Sequence, residues 1–127
     1  HFIIAGYDSN NTLPVVKQLF VADQSIKNFS TNFSGAVWDG ETATLSKLFT
    51  QLYAKNPDET YCAIQNHGIN FNFFNLQDAI NFAQYAVDVT IKTMAFENCV
   101  KTVGGPVDIL VIKPTESFWV ARKELHA

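Results

Sequence analysis

Charged residues, cysteine and long apolar runs are all scarce in this sequence. Nine Lys and Arg residues are scattered among twelve Asp and Glu residues, and the net charge of −3 provides no basic patch for nucleic acid. No apolar run reaches the roughly 18 residues that a transmembrane helix needs. We therefore expect no nucleic-acid partner and no membrane partner.

The sequence also lacks motifs for phosphate, serine and metal chemistry. Gly104-Gly105 precedes an apolar run instead of a helix that begins with Lys and Ser or Thr, so it is not a phosphate loop. No G-x-S-x-G elbow occurs. His67 with Cys62, and His126 near the end of the sequence, do not have metal-site spacing. The sequence predicts neither a metal nor a cofactor.

Cysteine usage and glycosylation patterns leave the compartment open. Cys62 and Cys99 permit a disulfide, but we predict two reduced and mostly buried thiols, since free cysteine is among the most buried residue types. Asn10, Asn28 and Asn32 each begin an Asn-x-Ser/Thr acceptor pattern. The chain is rich in asparagine, so we treat these matches as unused sequons. A cytoplasmic location is favoured, and the sequons keep secretion open.

What is present is the composition of one globular domain. The 127 residues are 47% apolar and 13% aromatic, which predicts a single domain over residues 1–127 with a usable core. The sequence starts at His1 with neither Met nor a signal-type stretch. That start predicts a processed chain or a fragment.

The first forty residues alternate between apolar stretches and turn-forming clusters. We predict strands over residues 2–7, 13–21 and 31–38, with a turn at residues 8–11 and a polar turn over residues 23–30. Short turns between sequential strands predict an antiparallel meander. The inward positions of the third strand are expected to be Phe33, Ala36 and Trp38.

A first helix is predicted over residues 41–53. We expect Thr42 or Asp39 to cap it, and the proline within residues 56–58 to end it. Its apolar residues follow the i, i+3, i+4, i+7 spacing at Leu45, Leu48, Phe49 and Leu52.

The connection over residues 54–75 is long for a compact domain. Residues 61–64 are a predicted short strand. Over residues 66–75 asparagine alternates with aromatic residues, which fits either an edge strand or a loop that lays aromatic side chains on a neighbouring surface.

A second, longer helix is predicted from Asn75 to residue 96. Asn75 and Asp78 have the spacing of a capping box. Phe82, Val89 and Phe96 lie off its main apolar stripe, so either a partner chain covers them or they are isolated surface residues. The main stripe consists of Leu76, Ala79, Ile80, Ala83, Val87, Ile91 and Met94.

A glycine turn and an apolar strand follow this helix. Gly104 and Gly105 allow the backbone to adopt positive φ. Pro106 suits the first position of a strand because it lacks a backbone donor. Residues 107–112 are almost all apolar, which predicts a strand covered on both faces, and residues 118–121 form a further short strand.

Two stretches of the sequence resemble the proteasome-type N-terminal-nucleophile (Ntn) hydrolases. The long helix that runs into V-G-G-P-V-D-I-L-V-I at residues 103–112, with the strand at 118–121, is similar to the last third of such a subunit. The run F-I-I-A-G-Y-D at residues 2–8 is similar to its central strand. The resemblance covers most of the chain except residues 54–75, where the family has a shorter connection.

The resemblance implies an α+β fold that is part of a four-layer αββα sandwich, with antiparallel strands and two adjacent helices. The predicted strands are too few for both sheets, and the first strands and two further helices of the family are missing. The chain would then be the C-terminal half of a proteasome-like subunit. We expect a companion chain to carry the N-terminal half, within a hetero- or homo-oligomer.

The resemblance also implies where catalytic support would lie. The family uses the hydroxyl or thiol of its first residue, with the α-amine as base, and His1 offers neither group. A Ser-Gly pair that supports the nucleophile in the family aligns with Asp39-Gly40. Asp39 either replaces the lost serine or marks a site that is inactive.

A second supporting segment of the family has the pattern acid-x-x-Ser-Gly-Gly. Its glycines align with Gly104-Gly105, but its acid and serine fall on Val100 and Val103. Two functions therefore stay open. One is amide or peptide hydrolysis by the assembled protein, with the nucleophile on the companion chain. The alternative is a catalytically inactive structural, storage or ligand-binding subunit.

Overall fold

The computed structural model describes residues 1–10 and 12–124, and His126 lies outside them. Within the described residues the chain is a mixed α+β protein with antiparallel sheets and two α-helices, as predicted. No helix in these ranges is long and apolar enough to cross a bilayer. The elements are β1 (Phe2–Tyr7), β2 (Pro14–Phe20), β3 (Ser25–Phe29), α1 (Ala43–Phe49), β4 (Leu52–Lys55), β5 (Tyr61–Ile64), a 3-10 turn (Phe71–Phe73), α2 (Leu76–Phe96), β6 (Ile109–Ile112) and β7 (Ser117–Ala121).

The first sheet is an antiparallel meander in the order β1-β2-β3. Because side chains alternate along a strand, one face of this sheet carries Ile3 and Gln18, and we call the other its outer face. Phe2 and Ile4 on the outer face are 63% and 56% exposed. Cross-strand pairing places further apolar residues on that face: Val15, Leu19 and Ile26.

The third strand of the meander was predicted in the wrong place. The segment predicted as a polar turn contains β3, whose Phe29 pairs with Val16 and whose Ile26 pairs with Leu19. Cross-strand packing of these apolar side chains outweighs the polar composition around them. Residues 31–38 form no strand, and Phe33 is exposed instead of facing a core.

The first helix is shorter than predicted because its C-terminal end pairs as a strand. Thr50 already has extended backbone angles, and Leu52 lies opposite Ile64 in the β4–β5 hairpin. The Gln51 side chain donates to the carbonyl oxygens of Leu52 and Ile64, at 2.9 and 2.8 Å. These bonds link the two strands at the open end of the hairpin. Thr42 occupies the N-cap position of α1 but makes no side-chain capping bond, and Asp39 lies outside the helix.

The second helix was predicted correctly, including its capping box. Asn75 accepts from the Asp78 backbone N–H at 2.8 Å, and Asp78 accepts from the Asn75 N–H at 3.0 Å. At the other end the Lys101 ammonium donates to the carbonyl oxygens of Met94 and Glu97, and the Met94 carbonyl also accepts from the Glu97 backbone N–H at 3.2 Å.

Of the two conformations predicted for residues 66–75, the structure has the loop and not the edge strand. Phe71 and Phe74 lie against Phe82 of α2, with ring centroids 5.2 and 5.7 Å apart. Phe82, which lies off the main stripe, is therefore partly covered by the chain itself. Phe96 at the end of the helix is almost fully exposed.

Only one of the two glycines in the late turn has positive φ. Gly105 has φ +83°, whereas Gly104 does not lie in that region. The strand after the turn begins at Ile109, and it is covered on one face only. Ile109 and Val111 are buried, but Leu110 and Ile112 are exposed, which corrects the prediction of a strand buried on both faces.

The buried core lies where α1, α2 and β6 meet. In the described residues it consists of Leu45, Thr90, Met94, Ile109 and Val111. The accessible surface of the chain is 9947 Å². A compact monomer of 14.2 kDa would expose about 6,800 Å². The chain therefore leaves about 3,000 Å² more surface in solvent than a self-sufficient domain of its mass.

Candidate functional site

An open cleft of about 930 Å³ separates the start of β1 from α2. The irregular segment 35–41 forms one wall and the inward face of α2 forms the other. His1 and Ile3 border it from the sheet, and Val103 borders it from the late turn. Residues that are distant in sequence thus meet around a single space.

Asp39 is held in this cleft by hydrogen bonds from three directions. Its Oδ1 accepts from the Gly40 backbone N–H at 2.7 Å and lies 3.3 Å from His1 Nδ1. Its Oδ2 accepts from Gln18 Nε2 at 2.9 Å. Gly40 has φ +83°, a conformation that favours glycine at this position. The pair Asp39-Gly40 therefore works as one unit.

This hydrogen bonding keeps Asp39 ionised. The Gly40 N–H, followed by the Gln18 amide, lowers the pKa of the carboxyl group below its ordinary value of 3.8, and partial burial opposes them. Asp39 is 23% exposed, so the carboxylate remains open to the cleft. The site offers a fixed negative charge at neutral pH.

A second carboxylate borders the same cleft. Glu41 Oε1 accepts from the Thr102 hydroxyl at 2.8 Å. Thr102 follows Lys101, whose ammonium group contacts the carbonyl oxygens at the C-terminal end of α2. The hydrogen bond between Thr102 and Glu41 ties the segment after α2 to the segment that carries Asp39.

Aromatic rings form the apolar end of the cleft. Phe82 of α2 lies at the centre, with the Phe49 ring 5.7 Å from it and Phe71 and Phe74 on its other sides. Trp38, adjacent to Asp39 in sequence, contacts Phe49 at 6.5 Å between ring centroids. A continuous set of rings therefore runs from the carboxylate to the helix.

The structure brings together only part of the predicted site. Asp39 and Gly40 line the cleft, whereas Gly104 and Gly105 do not, although their neighbour Val103 does. Gln18 was not predicted as a hydrogen-bond donor to the Asp39 carboxylate. Side chains alternate between the two faces of a strand, and β2 places Gln18 on the same face of the sheet as Ile3, which borders the cleft. This alternation was the sequence signal that could have indicated Gln18.

The other residues singled out from the sequence lie away from the cleft. Cys62 and Cys99 are free but exposed, so the prediction of buried thiols was wrong. Asn10, Asn28 and Asn32 are all exposed. Among the described residues, no group of three His, Cys, Asp or Glu side chains is close enough to hold a metal ion.

No protein-family model, curated protein or solved structure matches this chain.

Proposed function

We propose that this chain is the C-terminal half of a proteasome-like Ntn hydrolase, completed into a four-layer αββα sandwich by a companion chain. The observation that carries the proposal is the surplus of about 3,000 Å² of accessible surface on this one chain, which corresponds to a total of about 6,000 Å² over two partners and so to the upper end of obligate interfaces. A domain with so small a core needs a covering for its apolar faces.

Two apolar faces are available for that covering. The outer face of the first sheet exposes Phe2, Ile4 and Ile26. The β6–β7 hairpin exposes Leu110 and Trp119, which lie opposite each other on adjacent strands. A second sheet stacked on either face would bury these side chains, since packed sheets lie about 10 Å apart.

In this proposal the nucleophile belongs to the companion chain and Asp39 supports it. An N-terminal nucleophile uses its own α-amine as the base, and that amine must be held in position. A carboxylate that stays ionised and points into a cleft suits this task. Gln18 and Gly40 fix its orientation, which preorganises the site before a partner arrives. The assembled protein would hydrolyse amide or peptide bonds.

The alternative function is a catalytically inactive subunit with a structural, storage or ligand-binding role. Valine at positions 100 and 103 favours it, because the family pattern has an acid and a serine there. The geometry of Asp39 is compatible with both functions. Intact mass and N-terminal sequencing of native material separate them, since the hydrolase requires a companion chain that starts with Thr, Ser or Cys.

Association is tested with two neighbouring positions of β1 that lie on opposite faces. Ile4→Asp puts a charge on the outer face and should abolish recovery of the companion chain, whereas Ala5→Asp on the other face should retain it. Light scattering should show that the isolated chain self-associates. A stable monomer with a sharp cooperative melt would contradict the need for a companion.

Catalysis is tested with a fluorogenic peptide amide. The isolated chain should be inert, and addition of the companion should restore turnover. Asp39→Asn should then lower turnover by about tenfold or more, near the low end for loss of a positioned polar group. Asp23→Asn, an exposed acid in the β2–β3 turn, is the matched control. Hydrolysis by the isolated chain would refute the split enzyme, and full activity of Asp39→Asn would refute only the role of that residue.

A further inference from the structure

The cleft beside Asp39 has the size of a small-molecule site. Its volume of about 930 Å³ lies within the roughly 300–1,000 Å³ of typical ligand pockets. Such pockets combine apolar walls with a few polar groups that orient the ligand. Here the polar groups gather at Asp39 and Glu41, and the apolar wall lies on α2 and the loop before it.

The space exists because the cleft-facing side of α2 carries small residues. Ala79, Ala83 and Ala86 recur at helical spacing and all line the cleft. A leucine at any of these positions would project into the space. Ala83 directly follows Phe82 in the helix, and Ala86 lies one turn after Phe82. The empty volume therefore adjoins the aromatic rings.

The rings provide a surface that suits a flat apolar group. Phe71 and Phe82 meet nearly at right angles, with an interplanar angle of 87°, so one ring presents its edge to the face of the other. Aromatic groups prefer such edge-to-face or offset contacts, which are favourable beyond the area that they bury. An aromatic ligand ring has matching partners here.

The ionisable lining of the cleft carries more negative than positive charge. Among the described residues that line it there is no lysine or arginine; its acids are Asp39 and Glu41, and its cation is the α-amino group of His1, whose positive charge acts on Asp39. A carboxylate has about four acceptor positions. Asp39 uses two on Oδ1 and one on Oδ2 in the described residues, which leaves one on Oδ2 for an N–H donor. Glu41 adds a second negative charge nearby.

We propose that this cleft binds a small organic amine, with its ammonium group on Asp39 and its aromatic or apolar body against Phe82 and the alanine face of α2. The negative charges of Asp39 and Glu41 repel a ligand that carries a carboxylate. The aromatic end of the cleft favours an amine with an aromatic or apolar body over a simple alkylamine. This inference does not depend on the hydrolase proposal, because all the cleft residues that it uses belong to this chain and binding is measured on the native material, whether or not that material contains a companion chain.

Titration calorimetry with three ligands of one size tests the charge requirement. 2-Phenylethylamine should bind at least about tenfold more tightly than 2-phenylethanol, since a hydrogen bond to a charged group is worth about 1.5–3 kcal/mol. Phenylacetate should bind more weakly still. Ethylamine, which has the charge but no ring, should bind no better than the alcohol.

Two variants of α2 test the location. Ala83→Leu fills the cleft and should weaken 2-phenylethylamine binding by about tenfold or more. Ala95→Leu is the matched control, because it makes the same change on the same helix outside the cleft and preserves helix propensity to within a few tenths of a kcal/mol. Non-specific attraction of amines to an acidic protein would leave binding unchanged in both variants.

Two further variants test the carboxylates. Asp39→Asn should reduce the preference for the amine over the alcohol to less than about threefold, and Glu41→Gln should reduce it part of the way. Glu41→Gln keeps the test decisive if Asp39→Asn lowers the helical circular dichroism signal. Equal binding of amine and alcohol by the original chain, an unchanged preference in both carboxylate variants, or full amine affinity in Ala83→Leu would each overturn the proposal.

Discussion

Phe82 is the residue through which the long helix holds the loop before it, and its removal should destabilise the protein measurably. Its ring lies 5.2 Å from that of Phe71 and 5.7 Å from those of Phe49 and Phe74. Phe82→Ala would leave all three rings without a common partner. The change therefore perturbs α1, the loop and α2 together.

The expected loss of stability can be estimated from burial and ring contacts. Truncation of a fully buried phenylalanine costs about 3–5 kcal/mol. Phe82 is half-buried, so we expect about half to two thirds of that value. Alanine is the better helix former by about 0.5 kcal/mol, which offsets part of the loss. The net cost should be about 2 kcal/mol.

Urea unfolding followed by circular dichroism measures this cost at fixed protein concentration, because association changes apparent stability. Phe73→Ala is the matched control, since that ring lies in the same loop but is 82% exposed. It should cost less than about 0.5 kcal/mol. Equal losses in the two variants, or a loss in Phe82→Ala within error of zero, would refute the role given to the aromatic cluster.

Two further predictions concern backbone conformation and pH. Gly105→Val should lower the free energy of unfolding by about 1–3 kcal/mol, because the φ of +83° at this position strains a β-branched residue. Gly104→Val should leave the melting temperature nearly unchanged. Equal shifts of the melting temperature in the two variants would contradict the assignment of the turn to Gly105. Asp58 accepts hydrogen bonds from the side chain and backbone of Thr60, which lower its pKa below 3.8. Its contribution to stability is therefore full above the pKa of the unfolded chain and is lost as the pH falls through the pKa of the folded chain. Asp58→Asn should flatten the fall of the urea midpoint between pH 5 and pH 3, and an unchanged slope would exclude Asp58 as a source of that fall.

The elements predicted correctly are those whose local signals agree with one another. In α2, a capping box at Asn75 precedes a regular apolar stripe, and the helix begins and ends where these signals lie. The β1–β2 hairpin follows from two apolar strands around a short turn cluster. Such segments need little information from the rest of the chain.

The errors fall where two local tendencies compete. Leu52 continues the helical spacing of Leu45, Leu48 and Phe49, yet its pairing with Ile64 converts the end of the predicted helix into β4. Ser25–Phe29 is polar in composition, yet β2 offers it a partner and it forms β3. In both cases pairing with another strand decided between two conformations of the segment.

The sequence alone determined the α+β class and the long helix with its cap, because each depends on residues close together in the chain. Tertiary structure decided that Gln18 and His1 converge on Asp39, and that Phe71 and Phe74 of the same chain cover part of Phe82. It also decided that apolar strands remain exposed on one face. These features depend on which surfaces of the folded chain meet. The spacing of residues along one segment does not specify which other segment will pack against it.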